Sequence, residues 1–297
     1  MKVGIVVHGG VGTPSSIKDG CEKAIQQAKK YLNQRDYQEA ALQAAVVMED
    51  DERYNAGYGS NLRLDGKTIE MDAAFMTENG QIGAVAAVQK VRNPVLLARE
   101  VWHSPHVLLA GQGAQEFAKK RGLPFREEIA PTSLEKFERM KKSIQEGKLR
   151  KHPLWKDYSL KEYWNYPHDL PPWGICDTIG VVTRDGAGGF CAALSTGGAG
   201  TMMMGRIGDT PLAGSGFYVG PKGAVVATGL GEAIIQKLLS FRVYMKMEEG
   251  YTPQEACEWG ISLYDASIPI GLLAISEQGI GAGHNWDMAW AGEEWEV

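Results

Sequence analysis

Long hydrophobic segments are absent from this sequence of 297 residues, in which no apolar run approaches the roughly 18 residues that a membrane-spanning helix requires. The N-terminal stretch MKVGIVVHGG has only a short apolar run before His8, shorter than the apolar region of a secretory signal peptide. These two observations predict a cytoplasmic protein without a membrane partner.

Cysteine is scarce as well, and there is no excess of positive charge. The 4 cysteines have neither C-x-x-C spacing nor paired histidines nearby, so neither a zinc site nor a disulfide framework is indicated. A formal net charge of −5 argues against a nucleic-acid partner, which calls for clustered lysine and arginine. Because 44% of the residues are apolar, the chain can bury a sizeable core.

The first half of the chain alternates between strand and helix patterns. The β-branched run 3–7 predicts a buried strand that ends at a glycine-rich turn, and Ser15 or Ser16 is suited to cap the next helix. Helical spacing of apolar residues continues to about Met48 and predicts two helices. A hairpin around the turn ENGQ and a helix that begins at NPVLLAREVW follow.

Residues 147–177 differ from the rest because they are crowded with proline, lysine and aromatic residues and have no sustained period, which predicts a flexible linker. After this linker, TIGVVTRDGAGGFCAALST predicts a hairpin and 224–228 another strand. One helix is expected over 232–250 and a second over 252–265, capped by Thr252, before the closing strands. This order favours a single layered α/β domain over 1–297.

Thr178 begins the strand after the linker, and its position suggests a catalytic role. A threonine hydroxyl in mid-chain is a poor nucleophile because no base adjoins it. Cleavage of the Asp177–Thr178 bond would create an α-amine with a reference pKa of about 8, next to the hydroxyl of the same residue. One residue would then supply both nucleophile and base. A threonine at a strand start is usually structural, so the surrounding motifs must support this interpretation.

Seven motifs occur in an order that supports it. They are HGGVG (8–12), NAGYGS (55–60), RNPVLLAR (92–99), DTIG (177–180), STGG (195–198), GRIGDTPLAGSGFY (205–218) and ATGLGE (227–232). Together they resemble the isoaspartyl peptidase/L-asparaginase family, the plant-type asparaginases, within the N-terminal nucleophile hydrolases. The resemblance implies a four-layer αββα sandwich and a precursor that cleaves itself into an α subunit, 1–177, and a β subunit, 178–297. It also implies assembly as (αβ)₂.

The resemblance also implies roles for residues of the second half. Thr178 matches the nucleophile, Thr196 matches a threonine that contacts it, and Thr228 with Gly229 matches the oxyanion hole. Arg206 and Asp209 match the pair that binds the substrate α-carboxylate and α-ammonium, and Gly231 lies in the adjoining turn. Opposite charges suit an amino-acid zwitterion, although a salt bridge between Arg206 and Asp209 is the alternative interpretation.

In the first half, Asn55 matches a residue near the nucleophile, implied to contact substrate. Residues 46–58 resemble a loop whose backbone carbonyls hold a sodium ion. The implied ligands are the carbonyls of Met48, Glu49, Asp51, Tyr54, Ala56 and Tyr58. The acidic run 49–52 is otherwise typical of a solvated helix end. No organic cofactor is implied, and no proton-transfer role is required of His8.

The predicted activity is hydrolysis of the side-chain amide of L-asparagine and of β-aspartyl dipeptides, with release of L-aspartate.

Many plant-type members have glycine before the nucleophile, whereas the aspartate at position 177 resembles the sister family glycosylasparaginase, which remains an alternative. Asp177 is also a candidate helper of self-cleavage. An uncleaved, non-catalytic protein would keep every motif. A nucleotide-binding module is disfavoured because no G-x-x-x-x-G-K-[ST] or G-x-G-x-x-G motif follows a strand in the required setting.

Overall fold

The computed structural model describes residues 1–146, 177–200 and 202–297. The first described part contains four strands and five helices: β1 Lys2–Val11, α1 Asp19–Leu32, α2 Tyr37–Asp50, β2 Met71–Thr77, β3 Ile82–Val88, α3 Pro94–Trp102, β4 Leu108–Ala110, α4 Gly111–Lys120 and α5 Pro131–Gln145. The predicted linker lies outside the described residues, apart from Asp177. In the described ranges no helix is long and apolar enough to cross a membrane.

The part after residue 176 contributes seven strands and three helices among its described residues: β5 Ile179–Arg184, β6 Phe190–Thr196, β7 Phe217–Gly220, β8 Gly223–Gly229, α6 Gly231–Lys237, α7 Leu239–Glu248, α8 Pro253–Ser262, β9 Ile270–Ser276, β10 Gly279–His284 and β11 Met288–Glu296. They complete two sheets. One has the order β11-β1-β5-β6-β2-β3-β4, and the other has the order β10-β9-β8-β7.

The two sheets pack face to face, and helices cover the outer face of each sheet. Along a strand, alternate side chains enter different cores. In β1, Ile5 and Val7 belong to the core shared with helices α1 to α4, whereas Val6 belongs to the core between the sheets. In β8, Val226 lies in the core between the sheets and Val225 packs toward α7 and α8. The predicted αββα sandwich is therefore confirmed.

Several predicted elements are confirmed in detail. The β2–β3 hairpin pairs Met76 with Ile82, and the β5–β6 hairpin pairs Arg184 with Phe190. Helix α8 has the predicted capping box, in which the Thr252 side chain accepts from the Glu255 backbone and the Glu255 side chain accepts from the Thr252 backbone.

The single helix predicted over 232–250 is wrong, because the chain forms α6 and α7 with a break at Leu238. Leu238 has a left-handed φ of 49°. After the break, Phe241 N–H donates to the Gly214 carbonyl at 2.9 Å and Ser240 N–H donates to the Ser215 carbonyl at 3.3 Å. These hydrogen bonds with a distant loop replace the i−4 bonds of a continuous helix. The amphipathic pattern of 232–250 does not indicate them.

Three further predictions of local structure need correction. The first strand continues past residue 7 to Val11, because the glycine-rich motif pairs with β5 and β11. Neither predicted serine caps α1, since Ser15 lies in a 3₁₀ turn and Lys18 precedes the helix. The acidic run is not uniformly solvated: Glu49 is buried and accepts a hydrogen bond from Val95 N–H at the start of α3, at 3.0 Å.

Candidate active site

Thr178 lies immediately before β5 in the seven-stranded sheet and is only 4% exposed. Its hydroxyl donates to Thr196 Oγ1 at 3.2 Å, and the Thr196 hydroxyl donates to the Asp177 carbonyl oxygen at 3.0 Å. Thr196 lies at the end of β6, where it also accepts from Gly198 N–H at 3.0 Å. The two hydroxyls therefore form a short chain that joins the expected nucleophile to the carbonyl of the preceding peptide.

The Asp177 carbonyl oxygen accepts a second hydrogen bond, from Asn55 Nδ2 at 2.8 Å. Two donors on one carbonyl oxygen polarise the carbonyl and favour negative charge on its oxygen. Asn55 is held in place because its Oδ1 accepts from Asn61 N–H at 2.9 Å and its Nδ2 also donates to the Gly198 carbonyl at 2.8 Å. The structure thus places Asn55 on the peptide bond predicted to be cleaved.

Gly10 packs directly against this peptide bond from β1. Its φ is +99°, and a Cβ built on it would lie 2.5 Å from the Thr178 nitrogen and 2.9 Å from the Asp177 Cα. Both neighbours are backbone atoms, so no side-chain rotation can make room. Only glycine allows β1 to approach the Asp177–Thr178 peptide this closely.

The Asp177 side chain lies in a buried position in which its pKa is raised to about 7, chiefly by loss of hydration. The Lys136 ammonium, on α5, opposes this rise in pKa, as does the nearby Thr13 hydroxyl. Lys136 is itself partly buried, which lowers its pKa, and it donates to the Arg53 carbonyl at 3.3 Å. A carboxyl group that changes charge near neutral pH therefore lies beside the peptide bond.

His8 is fully buried next to the same strand. Its partner in the β1–β5 pairing is Gly180, and a Cβ on Gly180 would lie 2.3 Å from His8 Nε2. Burial lowers the His8 pKa to about 3, against the smaller effect of the nearby Thr178 backbone. The imidazole is therefore neutral at physiological pH, and glycine at position 180 makes room for it.

Thr228 and Gly229 end β8 in the second sheet, and they meet the first sheet at this point. Thr228 is fully buried, and its Oγ1 accepts from Val11 N–H at 3.3 Å. That bond uses a lone pair of the hydroxyl and leaves its proton for donation. Gly229 has a φ of +136°, and a Cβ on it would lie 2.1 Å from the Pro269 carbonyl oxygen, so this strand end requires glycine.

The Arg206 and Asp209 side chains converge beside Gly231, at the start of α6. A Cβ on Gly231 would lie 2.8 Å from Arg206 Nη2 and 3.0 Å from Asp209 Oδ1. Arg206 forms an ion pair with Glu232, which accepts from Nε at 2.8 Å and from Nη2 at 2.7 Å. The predicted pair, Arg206 and Asp209, thus lies close together, and Glu232 lies beside it.

These contacts form a continuous path across the site. Gly10 touches the Thr178 nitrogen, and its chain neighbour Val11 binds the Thr228 hydroxyl. Gly229 and Gly231 follow Thr228 along the chain, and Gly231 is the residue beside which the charged pair converges. The ends of β1, β5 and β8 therefore bring the expected nucleophile Thr178, the expected oxyanion donors and the charged pair into one region.

The carbonyls implied as sodium ligands lie at the C-terminal end of α2 and in the loop that follows. Met48 and Glu49 are in the last turn of α2, whose carbonyls lack helical partners. A Cβ on Gly57 would lie 2.5 Å from the Glu49 carbonyl oxygen, and one on Gly59 would lie 2.1 Å from that of Tyr54. The two glycines leave room for neutral oxygen donors of the type that hard cations prefer, so the donor set fits such an ion. No cluster of three metal-binding His, Cys, Asp or Glu side chains occurs in the described ranges.

Three further residues of this region have no role that the sequence assigns. Gly10 belongs to HGGVG and Glu232 to ATGLGE, whereas Lys136 belongs to none of the motifs. The motifs themselves were the available signal for the first two residues. Nothing in the spacing of Lys136 distinguishes it from a solvated helical lysine, because Asp177, whose pKa it lowers, lies 41 positions away.

Comparison with known proteins agrees with this geometry. The family model described as asparaginase matches residues 1–293. The plant-type L-asparaginase of Pyrococcus furiosus is 36% identical over 294 residues, covering 93% of this chain and 91% of its own. The isoaspartyl peptidase/L-asparaginase of Xenopus laevis is 35% identical over 271 residues, covering 88% and 81%. That of Mus musculus is 33% identical over 298 residues, covering 96% and 84%. The chain therefore belongs to the asparaginase family.

Proposed function

We propose that the chain is a self-processing threonine amidohydrolase that releases L-aspartate from L-asparagine and from β-aspartyl dipeptides. The observation that carries this proposal is the hydrogen-bonded chain from the Thr178 hydroxyl through Thr196 to the Asp177 carbonyl. The names of the relatives support the same substrates.

Self-processing begins when Thr178 Oγ attacks the Asp177 carbonyl carbon. The oxygen of that carbonyl gains negative charge, which the Asn55 and Thr196 donors stabilise. The C–N bond then breaks as the Thr178 nitrogen takes up the proton lost by the hydroxyl, and an ester remains between Asp177 and Thr178. Water hydrolyses this ester and leaves the subunits 1–177 and 178–297.

Hydrolysis of substrate uses the amine thus created. It accepts the proton of the Thr178 hydroxyl while Oγ attacks the side-chain carbonyl carbon of the aspartyl unit. The Thr228 hydroxyl and Gly229 N–H donate to the oxyanion, and the amine passes its proton to the departing nitrogen. Water then cleaves the acyl ester on Thr178 and releases L-aspartate. Arg206 and Asp209 hold the α-carboxylate and α-ammonium through opposite charges.

The sodium loop and the assembly belong to the same proposal. Carbonyls at the end of α2 and in the following loop would hold the ion, whose contribution is to fix the loop that carries Asn55. No catalytic step passes through it. Two αβ units would then pair as (αβ)₂, which analytical ultracentrifugation of the processed protein tests directly.

A substrate panel tests the activity and its main alternative. Processed protein is incubated with L-asparagine, β-aspartyl-leucine and N4-(β-N-acetylglucosaminyl)-L-asparagine, and L-aspartate release is measured. We expect release from the first two. Release from the glycosylated substrate alone would instead show that the chain is a glycosylasparaginase, the alternative suggested by the aspartate at position 177. Release from none of the three would contradict the proposed activity.

Asp177 carries a separate prediction about processing. Its carboxyl group lies beside the scissile peptide with a pKa raised to about 7, so it is partly ionised at neutral pH and can accept the Thr178 hydroxyl proton. Asp177→Asn removes this base at nearly constant volume, and we expect self-cleavage to slow by about 10²-fold. Intact mass spectrometry over time measures the rate. Processing at the wild-type rate would show that Asp177 takes no part.

Asp209 is surrounded by charges of both signs, which determine the pH at which it can bind substrate. Burial raises its pKa to about 7; Arg206 lowers it, whereas Glu232 and Asp72 raise it. Tyr264 also lies within electrostatic range of Asp209. Because the Asp209 pKa lies above its usual range, the carboxylate is ionised above about pH 7 and protonated below.

We therefore expect KM for L-asparagine to rise as pH falls through about 7, because protonated Asp209 no longer attracts the substrate ammonium. The rate at saturating substrate should instead follow the Thr178 amine, which is catalytically active as free base and has a reference pKa of about 8. Steady-state kinetics from pH 5 to pH 9 separates the two effects. A KM that stays constant across pH 7 would contradict the role given to Asp209.

A further inference from the structure

Glu232 forms a two-bond contact with Arg206, one member of the charged pair of the site. It accepts from both Nε and Nη2 of Arg206, at 2.8 and 2.7 Å, in the planar two-bond geometry that arginine and carboxylate prefer. The Arg206 side chain is 10% exposed and that of Glu232 is 23% exposed, so solvent screens this pair less than a surface pair.

The Arg206 guanidinium also lies close to two glycines. A Cβ on Gly208 would lie 2.9 Å from Nη1, and a Cβ on Gly231 would lie 2.8 Å from Nη2. The same Cβ on Gly231 would lie 3.0 Å from Asp209 Oδ1. A positive and a negative side chain thus approach one glycine, and without a third charge they would attract each other.

A salt bridge between Arg206 and Asp209 would disable substrate recognition. The substrate offers a carboxylate and an ammonium group on one carbon, so the two protein charges must stay available to different groups. We propose that Glu232 is a positioning residue that holds the Arg206 guanidinium by its Nε–Nη2 edge and so keeps the carboxylate and ammonium subsites apart. This inference rests on the proposed function, because it concerns the site for the α-amino acid group.

The charge of Glu232 also acts on Asp209, and this effect gives the inference a distinctive signature. Glu232 raises the pKa of Asp209, together with burial and Asp72, while Arg206 lowers it. When Glu232 loses its charge, the Asp209 pKa should fall, both directly and because Arg206 is free to pair with Asp209. A residue that merely supported the fold of α6 would leave this pKa unchanged.

The experiment compares Glu232→Gln and Glu232→Asp with the wild type, and Glu248→Gln serves as the matched control. Glu248 lies on the neighbouring helix α7, where it accepts from Tyr244 Oη, so its substitution causes the same change of charge elsewhere. For Glu232→Gln we expect self-cleavage at the wild-type rate, an increase of KM for L-asparagine of about 10-fold, and kcat within about threefold. The pH at which KM rises should move downward. Glu232→Asp should recover part of the loss in KM because it restores the charge.

Two results would overturn the inference. One is an unchanged KM and pH profile in Glu232→Gln. The other is a parallel loss of processing, kcat and thermal stability, which would indicate a structural role. L-Aspartate binding, measured by calorimetry, tests Glu232 independently of turnover. If the wild type binds L-aspartate but hydrolyses no substrate of the panel, the proposed activity fails, and the affinity of Glu232→Gln still decides the positioning role. If the wild type does not bind L-aspartate, both are wrong.

Discussion

Thr178→Ala is expected to leave a single uncut chain of 32.4 kDa that does not release L-aspartate from L-asparagine. The substitution removes the attacking oxygen of both reactions, and it removes the donor of the hydrogen bond to Thr196. Loss of a nucleophile that acts together with its base lowers the rate by at least about 10⁴-fold. Denaturing electrophoresis, intact mass and L-aspartate release check the result.

Thr183→Ala is the matched control for this experiment. Thr183 lies on β5, the strand that Thr178 immediately precedes, and is also buried, but its hydroxyl donates to the Tyr37 carbonyl at 2.8 Å, away from the scissile peptide. We expect this variant to lose about 1 kcal/mol of stability and to process normally. If Thr178→Ala were cut at the same bond as the wild type, another nucleophile would have to be responsible. If it stayed uncut but hydrolysed L-asparagine, cleavage would be unnecessary for activity.

Thr178 could be proposed as the nucleophile from the sequence because two independent signals coincide there. A strand pattern begins there after a stretch without any period, and the later motifs follow in the family's order. The order of strand and helix patterns also favoured a layered α/β domain, whereas the four-layer αββα arrangement was implied by the family resemblance. In the structure each buried strand divides its residues between two cores.

The parts that could not be predicted depend on contacts between distant residues. Glu49 was expected to be solvated, yet it lies against the N-terminus of α3, where burial raises its pKa to about 8. The break at Leu238 depends on carbonyls of the 214–215 loop, and the Arg206–Glu232 pair spans 26 positions. Charge and periodicity are properties of single segments. They therefore do not show which residue, distant in the sequence, a given side chain will contact in the folded protein.

Gly10→Ala is expected to slow self-cleavage by at least about 10²-fold, because the new methyl group displaces the scissile peptide from its donors. The Cβ would meet the Thr178 nitrogen at 2.5 Å, so the strand or the peptide must shift by a large fraction of an ångström. The Asp177 carbonyl would then move relative to Asn55 Nδ2, which now donates at 2.8 Å. The rate of cleavage, followed by intact mass, measures the effect.

Gly188→Ala separates this steric effect from backbone strain. Gly188 has nearly the same φ, +96°, in the β5–β6 turn, but a Cβ there would meet nothing within 4 Å. Both variants bear the cost of about 1 kcal/mol for an alanine in a left-handed conformation, so both should lose similar stability from strain alone. We expect Gly188→Ala to process at the wild-type rate. Equal slowing in both variants would mean that general destabilisation limits cleavage, whereas slowing in Gly10→Ala alone would show that the approach of β1 aligns the scissile bond.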